Sequence, residues 1–204
     1  MSTISGIGGY RIGGGGIGMW DRAEILERLA FLARADSGFT RFGSASHRYR
    51  LNQPIAQSEV TAFETRHGVT LPEDYRSFIL EVGDGGAGPC YGIFRLDRPD
   101  LDDDRREDLM PGFLAEAFPH TQSWNERSDG TPEAEEEYFD RAHIRGSLNM
   151  SHQGCGYMVR LVLTGPQRGT LWEDGRCSDA GVTPFAVGFA DWYLRWLKRD
   201  PPAR

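Results

Sequence analysis

The chain reads as an α+β domain, with an antiparallel sheet of about five or six strands, N-terminal helices against it and an aromatic C-terminal helix packed across it. Three observations predict this. Apolar residues recur at helical spacing in three N-terminal segments and again near the C-terminus. Short apolar runs divided by glycine and proline lie between about residues 147 and 173. Between the second and third helices, Gly68 fits a helix C′ position and Pro72 the first turn of a new helix.

Residues 1–19, with Gly6, Gly8, Gly9 and the run Gly13 to Gly16, have few side chains to bury and read as a flexible tail; residues 20–200 form a single domain. A first helix is expected from about Asp21 to Ala35, since Asp21 and Glu24 have the order of a cap-and-box start and Ile25, Leu29 and Leu32 form one stripe. His47 to Leu51 alternates enough for a short strand or extended connector. The second helix, about Gln57 to His67, presents Val60 and Phe63, with Ala56 where a Ser or Thr cap is usual. In the third, Pro72 to Val82, Tyr75, Phe78, Ile79 and Val82 share one face before Gly83.

After the turn containing Gly85 and Gly86, Tyr91 to Leu96 is a strand candidate, and helical pieces are expected near Phe113–Ala117 and Pro132–His143. Ser147–Met150, Tyr157–Leu163 and Gly169–Glu173 read as antiparallel neighbours joined by turns at Gly154, Gly156 and Gly165. After Pro184, Phe185, Phe189, Trp192, Tyr193, Trp196 and Leu197 make a helical stripe.

At 204 residues, 39% hydrophobic and 11% aromatic, the chain can bury one core. It contains no apolar run of the roughly 20 residues needed to cross a bilayer and no basic-then-apolar leader, so a cytoplasmic location and no membrane contact are expected. Cys90, Cys155 and Cys177 are odd in number and widely spaced, which fits reduced thiols. The net charge of −7 is concentrated: residues 97–140 hold 15 Asp or Glu against four Arg. Such a block repels phosphates, arguing against a direct nucleic-acid partner, and attracts a basic protein.

The order of Gly68, Leu71-Pro72, Tyr75, Gly85-Gly86, Gly154-Cys155-Gly156, Gly169-Thr170-Leu171-Trp172 and a terminal helix bearing Trp192 and Trp196 resembles the SUKH superfamily, over roughly Trp20 to Leu197. The resemblance implies a small α+β, non-enzymatic protein of one of two kinds. One is an immunity protein that neutralises a cognate bacterial toxin domain of nuclease or deaminase type with a basic active-site cleft. The other is a regulatory scaffold akin to cell-wall assembly regulators. No cofactor is expected, and no metal, since Cys90, Cys155, Cys177 and the five histidines lack the short ligand spacings of a zinc site. The acidic segment, residues 97–145, has no counterpart in that pattern, and divergent surface is where such proteins choose partners. Asp102, Asp103 and Asp104 with Glu135, Glu136 and Glu137 are therefore the candidate partner-binding residues; Gly68, Leu71, Pro72, Tyr75, Gly85, Gly86, Gly154, Gly156, Gly169, Trp172, Trp192 and Trp196 are assigned structural roles.

Other motifs read as structure. Gly13-x-Gly15-x-x-Gly18 has no preceding strand and so lacks the context of a dinucleotide fingerprint. Asp100, Asp102 and Asp104 stand at calcium-loop spacing, but Arg105 and Pro111 occupy the positions of the required glycine and glutamate. Cys155 with His152 has the elements of a nucleophile and base, yet its glycine neighbours favour a small buried turn residue. Asp74, Glu73 and Glu81 mark a helix start and wet face rather than an acid/base pair. Trp172, Trp192 and Trp196 read as core rather than base-stacking platforms.

Overall fold

A computed structural model describes residues 19–98, 108–126 and 131–199. The Gly-rich tail through residue 18, its Gly13–Gly18 motif, and Asp100, Asp102, Asp103 and Asp104 lie outside the described residues.

Helix α1, Arg22–Ala35, begins where the Asp21 carboxylate accepts the Glu24 N–H at 3.0 Å, and it buries Ile25, Leu29 and Leu32. A one-turn helix α2 follows at Ser44–His47; in the expected strand or connector, His47 to Leu51, Arg48 and Tyr49 turn with positive φ and Leu51 alone bridges another described segment, at Gly86. The cause is Asp36, whose carboxylate collects the Thr40 and Arg41 backbone N–H groups and the Thr40, Ser44 and Tyr49 hydroxyls, so residues 36–49 fold back on themselves.

Helix α3 spans Gln57–His67. Ala56 has no side-chain oxygen to cap with, so only half of a capping box forms, the Glu59 carboxylate accepting the Ala56 N–H at 2.9 Å. Gly68 ends α3 in the left-handed region at φ 65°, as expected. Helix α4 is Glu73–Glu81, with Pro72 one place earlier than expected, at the N-cap. Leu71, Tyr75, Phe78, Ile79 and Val82 are all buried. Trp20 closes this hairpin, donating its indole N–H to Asp74 O and Ser77 Oγ while its ring meets Phe78 edge-on.

Among the described residues the sheet has four strands, not five or six: β1 Ser147–Gly154, β2 Tyr157–Val162, β3 Leu171–Asp174 and β4 Val182–Ala186, an antiparallel meander in sequence order. Both outer edges are brushed by segments that fail to become strands. Tyr91 and Phe94 donate backbone N–H groups to His152 O and Met150 O on the β1 edge, and Trp124 exchanges two backbone bonds with Val182 on the β4 edge. The 91–96 segment is irregular because the chain around it turns: Cys90 has φ 52°, and Gly86, at φ 98°, passes so near Arg50 O that a Cβ would sit 2.5 Å from it. Phe185 belongs to β4, not to the terminal helix; α6 starts at Phe189 and runs to Lys198, burying Phe189, Trp192, Tyr193 and Leu197. Its N-cap, Gly188, lacks a side chain, and Asp74 serves instead, its carboxylate accepting the Ala190 N–H at 3.0 Å. Asp74 is thus a tertiary cap as well as a first-turn acid.

The two faces of the sheet have different covers. Leu148, Val159 and Leu161 join the core beneath the helices. On the opposite face, Arg160 and Trp172 lie under the described part of the acidic segment: Phe118 packs edge-on against Trp172 at 5.0 Å, and Asp108 forms a buried ion pair with Arg160. Phe113–Ala117 is a run of turns rather than a helix, with Phe113 and Leu114 buried. Helix α5, Pro132–Phe139, continues into a 3₁₀ turn at Arg141–Ile144.

Candidate functional site

Glu135, Glu136 and Glu137 are exposed on α5, and this helix is fastened to the sheet from below. Arg176 is buried and forks onto the Asp174 carboxylate with two 2.8 Å bonds, while Nη1 donates to the carbonyls of Tyr138 and Asp140 at the end of α5. Burial works to raise the Asp174 pKa, but Arg176 overrides it and holds the carboxyl below its ordinary value. Tyr138 adds a second anchor: its hydroxyl donates to Asn125 Oδ1 and accepts the Gly181 N–H. Trp124 stacks between Tyr138 and His143, with ring centroids 5.4 and 3.9 Å away. Three carboxylates thus project from a short helix whose C-terminal end is hydrogen-bonded to Arg176 and, through Tyr138, to Asn125 and Gly181. Elsewhere the acidic segment is partly core: Asp108, Phe113, Leu114, Phe118 and Tyr138 are buried.

A concave feature lies on the other face. Successive β3 residues point oppositely, so Asp174 faces α5 while Glu173, which accepts a 2.7 Å bond from Gln153, faces the helices. There, residues 41–49, Pro89, Cys90, the tip of β4 and the outer side of α6 enclose a groove of about 410 Å³. Trp192 and Trp196 line it together with Phe42 and Phe185, and three arginines, Arg41, Arg195 and Arg199, stand around it. Among the described residues its lining holds no carboxylate. His47 closes one wall, its Nδ1 accepting the Tyr49 N–H and its ring edge-on to Trp196. Burial and nearby Arg41 lower its pKa to about 4, against partial relief from the Cys90 and Gly88 carbonyls. Behind this wall the five hydrogen bonds to Asp36 outweigh its burial and hold its carboxyl far below the usual range. Burial also pushes the Cys90 thiol up, against nucleophilic use.

Cys155 is exposed at the β1–β2 turn with φ 51°, rather than buried. His152 uses Nδ1 to accept the Gly154 N–H and packs against Tyr91. Among the described residues, no group of three or more His, Cys, Asp or Glu could hold a metal ion. Of the residues assigned structural roles, Leu71, Tyr75, Trp172 and Trp192 are core, Trp196 is half-buried beside the groove, and Gly68, Gly85, Gly86, Gly154, Gly156 and Gly169 all take positive φ.

The helix–Gly–Leu-Pro–helix hairpin, the meander and the terminal aromatic helix coincide with a family model: residues 54–195 match the SMI1/KNR4 family (SUKH-1). The chain belongs to that family. No curated protein matches it. The match covers most of the chain but begins after α1 and α2, so in this SUKH-1 protein Arg41, Phe42, His47 and Tyr49, as well as Trp196 and Arg199, lie outside it. The groove was missed from sequence because its parts read as core or as connector. Its one visible signal was the interleaving of arginine with aromatic residues at Arg41-Phe42 and at Trp192, Arg195, Trp196 and Arg199.

Proposed function

We propose that this SUKH-1 protein is a non-enzymatic, cytoplasmic immunity protein that binds and neutralises a cognate toxin domain, of nuclease or nucleic-acid deaminase type, through its acidic face. The observation that carries this reading is the placement of Glu135, Glu136 and Glu137, exposed on a helix clamped by Arg176. A basic catalytic cleft is complementary to such a face, and a charge array fixed in advance gains association rate and specificity without an ordering cost on binding. Asp102, Asp103 and Asp104 extend the same acidic stretch in sequence. Family membership supports a protein partner; it leaves the immunity role and a regulatory scaffold role both open.

Co-expression with the product of the adjacent reading frame separates them. The immunity reading expects a one-to-one complex and rescue of growth from that product's toxicity. A complex without rescue favours the scaffold, and neither complex nor rescue removes the immunity reading.

A further inference from the structure

We infer that the groove between residues 41–49 and α6 is a binding site for an acidic peptide segment bearing an aromatic anchor, contributed by a partner protein. The inference is independent of the toxin reading, which uses the other face of the sheet.

Three features of the groove converge on that ligand. The first is sign. In a chain of net charge −7, this concavity is ringed by Arg41, Arg195 and Arg199. Arg195 is shared with Asp191, while among the described residues Arg41 directs its guanidinium only to the Arg199 carbonyl, at 3.5 Å. Arg41 and Arg199 have no ion-pair partner among the described residues. Two nearby carboxylates do not compete: Asp36 is committed to five hydrogen bonds, and Glu173 accepts from Gln153.

The second feature is apolar surface that folding has left uncovered. Phe42 is 64% exposed, Phe185 and Tyr91 are each 42% exposed, and Phe42 meets Tyr91 edge-on at 5.2 Å beside the groove. Such a cluster at the mouth of an aromatic-lined cleft suits a planar side chain from a ligand. The third is rigidity. Of six non-glycine residues with positive φ among the described residues, Phe39, Arg48, Tyr49 and Cys90 build or adjoin this wall. Gly43 packs so tightly against Cys90 that a Cβ would overlap its carbonyl oxygen. Strain concentrated at one place is a mark of a site held in shape for use.

Size decides what kind of ligand. A stable interface between folded domains takes about 800 Å² from each partner, more than a cleft of this volume offers. A few residues of extended chain fit it, with side chains going alternately inward to the tryptophans and outward to the arginines.

The test is an NMR titration of the full chain, following the indole N–H signals of Trp192 and Trp196. The probe is a capped peptide alternating glutamate and phenylalanine. Buried Trp20, whose indole N–H is bonded to Asp74 and Ser77, is the internal reference. Saturable shifts at Trp192 and Trp196 but not Trp20 are expected, with affinity about tenfold weaker in the Arg41→Ala/Arg199→Ala double variant and falling as salt is raised. Absence of saturable shifts overturns the inference. So does equal binding of a glutamate–serine peptide or of ATP, which would make this a general anion site. Equal binding of a lysine–phenylalanine peptide would make it merely apolar, and peptide-free shifts that grow with protein concentration would assign it to self-association.

Discussion

Tyr193 illustrates how a single group can work against the fold that contains it. Its ring is fully buried among Phe78, Phe189 and Trp196, yet its hydroxyl has no hydrogen-bond partner among the described residues, and burial alone drives its pKa upward. A buried hydroxyl without a partner costs about 1–3 kcal/mol, so Tyr193→Phe is expected to stabilise the protein by about 1 kcal/mol in urea denaturation. An unchanged or lower midpoint would show that the hydroxyl is satisfied in solution. His47 makes a second residue-scale case. The unfolded chain takes up its proton near pH 6.5, the folded chain only near 4, so between those values the unfolded state binds more protons and stability falls with falling pH. The depressed pKa amounts to at most about 3 kcal/mol across that window, less whatever solvent reaches the ring. Asp36, whose pKa is depressed by its hydrogen bonds, adds its own loss only at lower pH, below about 4. A series of denaturation curves from pH 7 to pH 4 should therefore slope downward in the native protein and slope less in His47→Gln, the remainder belonging to His67 and His120, whose pKa values burial also lowers.

At the scale of elements, what the sequence made legible were those whose signal is local. Asp21, Gly68 and the apolar stripes of α1, α3 and α4 specify their own helices, and glycine turns specify the meander, so these were readable without knowing the fold. The misreadings have one physical root: contacts distant in sequence override local pattern. Asp36 draws Ser44 and Tyr49 into a turn where alternation suggested extension, Phe185 is claimed by β4 pairing, and Asp74 caps a helix more than a hundred residues away. The attachment of α5 was invisible for the same reason, since Arg176 gives no local sign that it grips the carbonyls of Tyr138 and Asp140, more than thirty residues away. Truncating it leaves a buried carboxylate without its guanidinium. Arg176→Ala is accordingly expected to cost about 3 kcal/mol in chemical denaturation, with amide exchange in Pro132–Phe139 accelerating before that of β2. Arg176→Lys should not restore protection, because an ammonium cannot make the two-pronged contact and reach both carbonyls together. Uniform acceleration across the chain would mean that α5 is not selectively held by this residue.

At the scale of the whole molecule, one sheet carries two surfaces of opposite charge: carboxylates over the Asp174 face, arginines with aromatic residues over the Glu173 face. The apolar interior keeps them apart, so either can be altered without disturbing the other. That separation gives the charge argument a clean trial. Glu135→Lys, Glu136→Lys and Glu137→Lys combined change only exposed side chains and should move folding stability by no more than about 0.5 kcal/mol per site. If the acidic face meets a basic cleft, the triple variant binds the cognate toxin domain more weakly, chiefly through slower association, and the dependence of its affinity on salt flattens, because fewer screened attractions remain to be lost. Binding of the glutamate–phenylalanine peptide at Trp192 and Trp196 should stay unchanged in the same variant. Toxin affinity and salt slope that match the native protein would show that the three glutamates are a solvated surface, and recognition would then have to be sought on the arginine-lined side.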